Sequence, residues 1–202
     1  MAMMWKKWSK ERWGRGYIKY LALFALVIIP LYTYLFATKE SPFYYTLSMI
    51  GNMGDYRLDF IVWGVVTGFL ITFYIGRLYM MKSFYHPRAH RLLLWSHIFL
   101  VLTVFIPAVE TLPFLRRLHA LMAVLFALSL LASLYLFIRY LGEIDKSLFH
   151  WSSWMLFIVL FGSLGLFYFV GNTGIFELFF FLSITAFLAL LRLWLKPYEN
   201  RI

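Results

Sequence analysis

The chain lacks cysteine altogether and has few charged residues. The absence of cysteine in its 202 residues excludes disulfides, thiolate metal ligands and a cysteine nucleophile. Charged residues make up 14% of the chain, whereas a soluble domain typically has about 25%. Hydrophobic residues make up 63% and aromatic residues 22%. Because so apolar a chain needs lipid as its solvent, we predict an all-α integral membrane protein.

The short motifs that mark common active sites are also missing. The chain has no Gly-x-Ser-x-Gly elbow, no His-Glu-x-x-His pair and no phosphate-binding Gly-x-x-x-x-Gly-Lys loop. A triad of Ser48, His119 and Asp59 can be written down, but these are common residue types on separate segments. We therefore predict no catalytic residue and favour a protein that is not an enzyme.

Six apolar runs are each near the ~20 residues that a membrane crossing requires. They are residues 17–36, 59–81, 92–109, 118–140, 151–170 and 175–195. We predict a six-transmembrane-helix bundle in one domain, 1–202, that begins with a basic, tryptophan-rich cytoplasmic segment at 1–16. No small-x-small cleavage site follows the first run, which indicates a retained helix with a kink at Pro30. The short turn 171–174 predicts a tight hairpin of the last two helices.

The basic residues are distributed unequally between the two predicted sides of the membrane. With the N-terminus inside, only four of the 19 lie outside: Lys39, Arg57, Arg116 and Arg117. Because cytoplasmic segments collect lysine and arginine, both termini are predicted to be cytoplasmic. The same rule explains the net charge of +10 without a nucleic-acid partner. We expect the protein to lie in a bacterial plasma membrane. Trp63 is the one tryptophan predicted toward the outer side.

Two features of the runs predict how the helices pack. Gly64 and Gly68 in the second run favour a close approach between helices, because small side chains let backbones meet in lipid. Residues 40–51 are too apolar for a solvated linker and too short to span. We expect them to lie in the outer interface or to dip back among the helices.

The outer side holds polar residues of both signs in three separate connections. An ionisable group near hydrocarbon is costly unless it is paired or wetted by a cavity, so these residues are candidates for function. We predict that the charged ones converge around a water-accessible pocket that binds a lipid headgroup. A structural network of arginines and carboxylates is the alternative. The candidate residues are Ser48, Arg57, Asp59, Glu110, Arg116, Arg117, His119 and Glu177.

Four histidines on the inner side raise the possibility of a metal or haem site. They are His86, His90, His97 and His150. Pro87 favours a helix that begins after His86, which would leave that histidine in the loop. The outer half offers only His119, so paired haem ligands near both membrane faces are lacking. We predict no metal and no cofactor.

Some outer residues carry a family resemblance. The six runs, the sequence 48–51 (Ser-Met-Ile-Gly), Arg57, Phe60 and the sequence 117–119 (Arg-Leu-His) resemble a family of six-span membrane proteins. That family includes the damage-regulated autophagy modulators and uncharacterised bacterial relatives. The resemblance implies a membrane protein associated with lipid organisation. The family has no single mechanism that could be assigned to this chain. It directs attention to Ser48, Gly51, Arg57 and His119.

The leading functional prediction is a lipid-handling membrane protein with a headgroup site at the outer leaflet. Arginine side chains suit lipid phosphate, and the aromatic loop suits an acyl chain. Its predicted partners are membrane lipids. One alternative is a structural or regulatory subunit that packs against other membrane proteins or a second copy of itself. A further alternative is an intramembrane lipid-modifying enzyme with His119 and an outer carboxylate as acid and base.

Overall fold

A computed structural model describes residues 20–195, and within this range the chain forms seven α-helices. The predicted segment 1–16 lies outside the described residues. A 3₁₀ turn at Gly54–Tyr56 precedes the third helix. The helices are α1 (Tyr20–Ala37), α2 (Leu47–Gly51), α3 (Arg57–Met81), α4 (Pro87–Phe105), α5 (Pro113–Ile144), α6 (Lys146–Val170) and α7 (Gly174–Leu195).

Five of these helices are long and apolar enough to cross a membrane. They are α1, α3, α5, α6 and α7, with the span of α3 counted from Gly54. The prediction of an all-α integral membrane protein with several spans is therefore confirmed. Helix α4 has 19 residues but carries Arg88, His90 and Arg91 in its first turns, so it does not meet the same criterion of apolarity.

Proline and a π-helical turn interrupt the regular geometry of α1. Residues Phe24–Ile28 form the π-turn, in which the Ile29 N–H bonds to the Phe24 carbonyl. Pro30 follows at once and has no N–H to give to the preceding turn. π-helical turns are rare and occur mostly as single-turn bulges inside α-helices, as here. The structure thus has a π-turn just before Pro30, whereas the kink predicted at Pro30 stays a prediction.

Consecutive long helices run antiparallel. Between α3 and α4, Gly64 lies against Val104, and the Tyr79 ring packs on His90. Between α6 and α7, the rings of Phe167 and Phe176 are in contact. In each pair, positions later in one helix meet positions earlier in the next. The last two helices are joined by 171–173 only, which confirms the predicted hairpin.

Helices α3 and α7, by contrast, run parallel. Trp63 meets Phe181 edge to face, with ring centroids 5.0 Å apart, and Tyr74 lies near Arg192 eleven positions further along both helices. The connections therefore collect at two ends of the bundle. We name the end with residues 38–56, 106–112 and 171–173 the polar end. The opposite end, with residues 82–86 and 145, is the basic end.

The bounds of α4 differ from the predicted run 92–109 at both ends. The helix begins five residues earlier, because Pro87 occupies its first position and His86 caps it, accepting the Ala89 N–H at Nδ1. It ends at Phe105, because Ile106 precedes a proline and takes the extended conformation that such a position favours. The prediction that His86 precedes the helix is confirmed.

The two glycines singled out in the sequence lie where α3 and α4 are in close contact. A Cβ on Gly64 would overlap Val104, and one on Gly68 would lie 2.7 Å from Nδ1 of His97. Both glycines therefore let α3 and α4 approach each other, as expected for small residues in a membrane protein. The prediction that they serve packing is confirmed.

Trp63 lies in the second turn of α3, near the polar end, and its side chain points into the bundle. Its side chain is 2% exposed and stacks with Phe36 and Phe60 in the core between α1 and α3. The indole N–H donates to the hydroxyl of Thr33 at 2.9 Å. This bond satisfies the polar edge of the ring inside the bundle, so the tryptophan does not need water.

Residues 40–51 dip back among the helices, which was one of the two predicted placements. Leu47, Ile50 and Gly51 are buried, and the short helix α2 packs against the start of α3. At the other side, the Ile175 N–H donates to the Pro42 carbonyl. A Cβ on Gly174 would meet the backbone there, so glycine permits this close approach of α7.

Candidate functional site

A chain of hydrogen bonds links α2 to the start of α3 at the polar end. Thr46 caps α2: its hydroxyl accepts the Met49 N–H and lies 3.0 Å from the Ser48 hydroxyl. The side-chain amide of Asn52 donates to the Ser48 carbonyl at 2.6 Å, and its oxygen accepts from Arg57 at 3.3 Å. The predicted site residue Ser48 is therefore buried and held by internal contacts.

Arg57 and His119 both bind carbonyl groups at the C-terminal end of α4. The guanidinium of Arg57 donates to the Phe105 carbonyl at 2.8 Å, and Nδ1 of His119 donates to the Ile106 carbonyl at 3.0 Å. The final carbonyls of a helix lack intrahelical partners and carry partial negative charge, so they attract such donors. These adjacent acceptors bring two predicted site residues side by side, and they fix the proton of His119 on Nδ1.

Glu177 holds the opposite end of α2. From the first turn of α7, its carboxylate accepts the backbone N–H of Leu47. A carboxylate near hydrocarbon is costly without partners, and this N–H supplies one. Glu177 at Leu47 and Arg57 at Asn52 therefore hold the two ends of this short helix. These contacts support the segment 40–51.

Asp59 and Glu110 form separate ion pairs. Asp59 pairs with Lys39, whose ammonium lies 4.4 Å from the ring centroid of Tyr56. Glu110 lies 3.6 Å from the guanidinium of Arg116, with both side chains more than half exposed. An exposed pair of this kind contributes about 0–1 kcal/mol. The described contacts thus divide the candidate residues into local sets, instead of joining them around one pocket.

The residues of the hypothetical triad have different partners. Ser48 bonds with Thr46, and His119 with the Ile106 carbonyl. Asp59 is paired with Lys39. No hydrogen bond joins any two of Ser48, His119 and Asp59 in the described chain. A nucleophile, its base and the group that orients the base need such bonds, so this geometry does not support the hypothetical triad.

Among the basic candidate residues, Arg116 and Arg117 are exposed, as is Glu110, the partner of Arg116. The two arginines lie in the first turns of α5, and no side chain caps that helix. Within residues 20–195, Arg117 has no ion-pair or hydrogen-bond partner. The first N–H groups of a helix lack intrahelical partners and carry partial positive charge. The start of α5 is therefore an exposed cationic feature.

Exposed aromatic side chains surround the polar end, a feature that the sequence indicates only in part. Aromatic belts of this kind lie at the level of lipid headgroups in membrane proteins. The predicted aromatic loop contributes two, and the ends of α5 and α6 supply the others. The five residues, each more than 60% exposed, are Phe43, Tyr44, Phe114, Tyr168 and Phe169.

The histidines of the basic half have distinct local roles. His90 bonds to the His86 carbonyl at 3.0 Å, and Nε2 of His150 accepts the indole N–H of Trp154 at 3.0 Å. His97 packs on Gly68. Among residues 20–195, no group of three or more histidine or carboxylate side chains is placed to hold a metal ion.

No family model, curated protein or solved structure matches this chain. The resemblance to the six-span family therefore stays a prediction.

Proposed function

We propose that the chain crosses the membrane six times with both termini in the cytoplasm, and that its outer face binds an anionic lipid headgroup. In this arrangement the polar end faces outward, and Arg116 and Arg117 at the start of α5 contact the lipid phosphate.

The proposal of six crossings rests on the directions of the helices. Helix α4 runs antiparallel to both of its neighbours, as the contacts of Gly64 with Val104 and of Ser133 with Ala89 indicate. Helices α3 and α5 therefore run in the same direction. If both cross the bilayer, the chain must return between them, and α4 with 19 residues is about 28 Å long. That length is close to the ~30 Å of the hydrocarbon core.

The distribution of charge favours the orientation. The basic end carries Arg77, Lys82, Arg88, Arg91, Arg139, Lys146 and Arg192. The polar end carries Lys39, Arg57, Arg116 and Arg117. Because basic residues collect on the cytoplasmic side, the basic end is placed inside.

One observation carries the proposed headgroup site: two adjacent arginines are exposed at an uncapped helix start beside the outward-facing Phe114. Guanidinium groups form paired hydrogen bonds with phosphate oxygens, and a helix N-terminus favours an anion. The ring of Phe114 would enter the interface next to the headgroup. Arg57 and His119, which bind carbonyls of α4, act as the supporting framework of the site.

A comparison of two ends of the same helix tests this proposal. Arg117→Gln together with Arg116→Gln should reduce the retention of phosphatidylglycerol by the purified protein, measured by native mass spectrometry. Arg139→Gln is the matched control, because Arg139 is also exposed on α5 but lies near its basic end. Equal retention by wild type and by the double variant would reject the headgroup site. A loss confined to the control would place the lipid at the opposite leaflet.

A second candidate function, a subunit of a membrane complex, is favoured by helix α6. This helix is the least buried of the five apolar spans. Its outward face carries an aromatic ladder in which Trp154 contacts Phe157 and Phe157 stacks on Phe161 at 4.0 Å. Another helix could cover this face. Cross-linking from Phe161, replaced by a photoreactive amino acid, should capture a second polypeptide if this alternative holds and lipid alone if it does not.

A further inference from the structure

Two arginines approach each other between α3 and α7 at the basic end of the bundle. On α7, the guanidinium of Arg192 lies close to Tyr74, a residue of α3 whose hydroxyl is buried. Arg77 follows Tyr74 by three residues, and side chains at this spacing are neighbours on one face of a helix. Since α3 and α7 run parallel, Arg77 and Arg192 flank the same tyrosine at the same end.

Neither arginine is paired with a carboxylate of residues 20–195. Both side chains are half-buried, and Nε of Arg77 is shut off from solvent without a hydrogen-bond acceptor in this part of the chain. At the polar end, by contrast, the guanidinium of Arg57 bonds to the Phe105 carbonyl. A buried donor without an acceptor is costly, more so when it belongs to a charged group. The basic end therefore lacks an anion at this position.

The depth of the two arginines indicates which anion can reach them. Helix α3 has 25 residues and is about 37 Å long, a few Å longer at each end than a hydrocarbon core of about 30 Å. Arg77 lies about 6 Å before the end of α3, close to the edge of that core, and Arg192 is in the last turn of α7. Their long side chains extend to the level of lipid phosphates. The exposed Met80 and Leu193 offer apolar surface to acyl chains at the same level.

We infer that Arg77 and Arg192 bind the phosphate of an anionic phospholipid in the leaflet at the basic end. The Nε and one terminal nitrogen of a guanidinium form paired hydrogen bonds with two phosphate oxygens, which gives the Nε of Arg77 its missing acceptor. Two unpaired positive charges favour a lipid of net negative charge over a zwitterionic one, and basic pockets between transmembrane helices bind such headgroups. This site lies at the opposite end of the bundle from the start of α5, so it does not depend on the proposed headgroup site there.

Photolabelling in phosphatidylcholine nanodiscs tests this inference, with a phosphatidylglycerol that carries a diazirine near its headgroup as the probe. The probe should label peptides from the ends of α3 and α7. Arg77→Gln together with Arg192→Gln should reduce this labelling about tenfold and leave labelling at the start of α5 unchanged. Arg88→Gln together with Arg139→Gln is the matched control, because it removes the same charge from exposed positions at the same end and should label as wild type does.

Three results would overturn the inference. Unchanged labelling in the Arg77→Gln and Arg192→Gln variant would show that these side chains do not hold the lipid. An equal loss in the control would reduce the effect to the overall charge of the basic end. Competition by inorganic phosphate as strong as that by unlabelled phosphatidylglycerol would assign the site to a soluble anion. If the double variant fails to insert, Arg77→Lys still decides: it keeps the charge but loses the Nε donor, so wild-type labelling in this variant would also contradict the site.

Discussion

The contact between Gly64 and Val104 provides a sharp test of how α3 and α4 pack. A Cβ added to Gly64 would overlap Cγ1 of Val104 and lie 3.0 Å from its Cβ, closer than the ~3.5–4.0 Å optimum for carbon atoms. Val104 is fully buried, so it cannot turn aside into lipid. Gly64→Ala should therefore force the helices apart and lower the free energy of unfolding by about 1–3 kcal/mol.

The same helix contains a matched control. A Cβ on Gly76 would meet no neighbouring atom within 4 Å. Gly76→Ala should leave stability unchanged or raise it by about 0.5–1 kcal/mol, because alanine favours the helix. Combining Gly64→Ala with Val104→Ala, which removes the overlapping methyl groups, should recover about 1 kcal/mol relative to the sum of the single effects. Reversible unfolding in sodium dodecyl sulfate, followed by tryptophan fluorescence, measures all four variants. Equal effects of Gly64→Ala and Gly76→Ala would refute the packing of α3 on α4.

Two further variants test the core and the support of α2. Trp63→Phe should lower the free energy of unfolding by about 1 kcal/mol, because Thr33 loses its indole donor. Trp95→Phe, at an exposed position, should be nearly neutral. Similar losses of stability in both variants would contradict the burial of Trp63. Glu177→Leu leaves the Leu47 N–H without its acceptor, so it should lower the free energy of unfolding by about 1–3 kcal/mol and speed hydrogen exchange in residues 46–51. Glu177→Gln keeps an acceptor oxygen and should have a smaller effect on both. Unchanged exchange in Glu177→Leu would show that this bond does not hold α2.

The helices were largely predictable because hydrophobic length and proline act locally. The runs indicated the number and order of the long helices, and Pro87 placed the start of α4 after His86. The apolar run was predicted to begin at residue 92, after Arg88 and Arg91. In the structure they belong to the first turns of the helix, so charge at the end of a span does not end the helix.

The arrangement of the polar residues was less predictable, because it depends on how the helices are rotated and which neighbours they meet. Asp59 pairs with Lys39, a residue counted in the sequence only for its charge. Arg57 and His119 do lie together, but through the carbonyl groups of Phe105 and Ile106, which no residue pattern identifies. Trp63 was expected toward the outer side, but its burial and its partner Thr33 were not apparent from the sequence.

The packing of His97 also was not predicted. In the sequence His97 was grouped with His86, His90 and His150 as an inner-side histidine. His97 differs from the other histidines because it packs against Gly68 of α3, where the absence of a side chain makes room for the imidazole. Small residues at 64 and 68 indicated a close approach without indicating the partner helix.

The central claim is that α4 is a true crossing, and single-cysteine labelling tests it most directly because the native chain has no cysteine. Thr111→Cys places a thiol in the exposed turn between α4 and α5, and Ser147→Cys places one in the exposed first turn of α6. With six crossings and a cytoplasmic N-terminus, an impermeant maleimide should label Thr111→Cys in intact cells and Ser147→Cys only after permeabilisation. If α4 stays on one side, these two results exchange, and the six-span account is wrong.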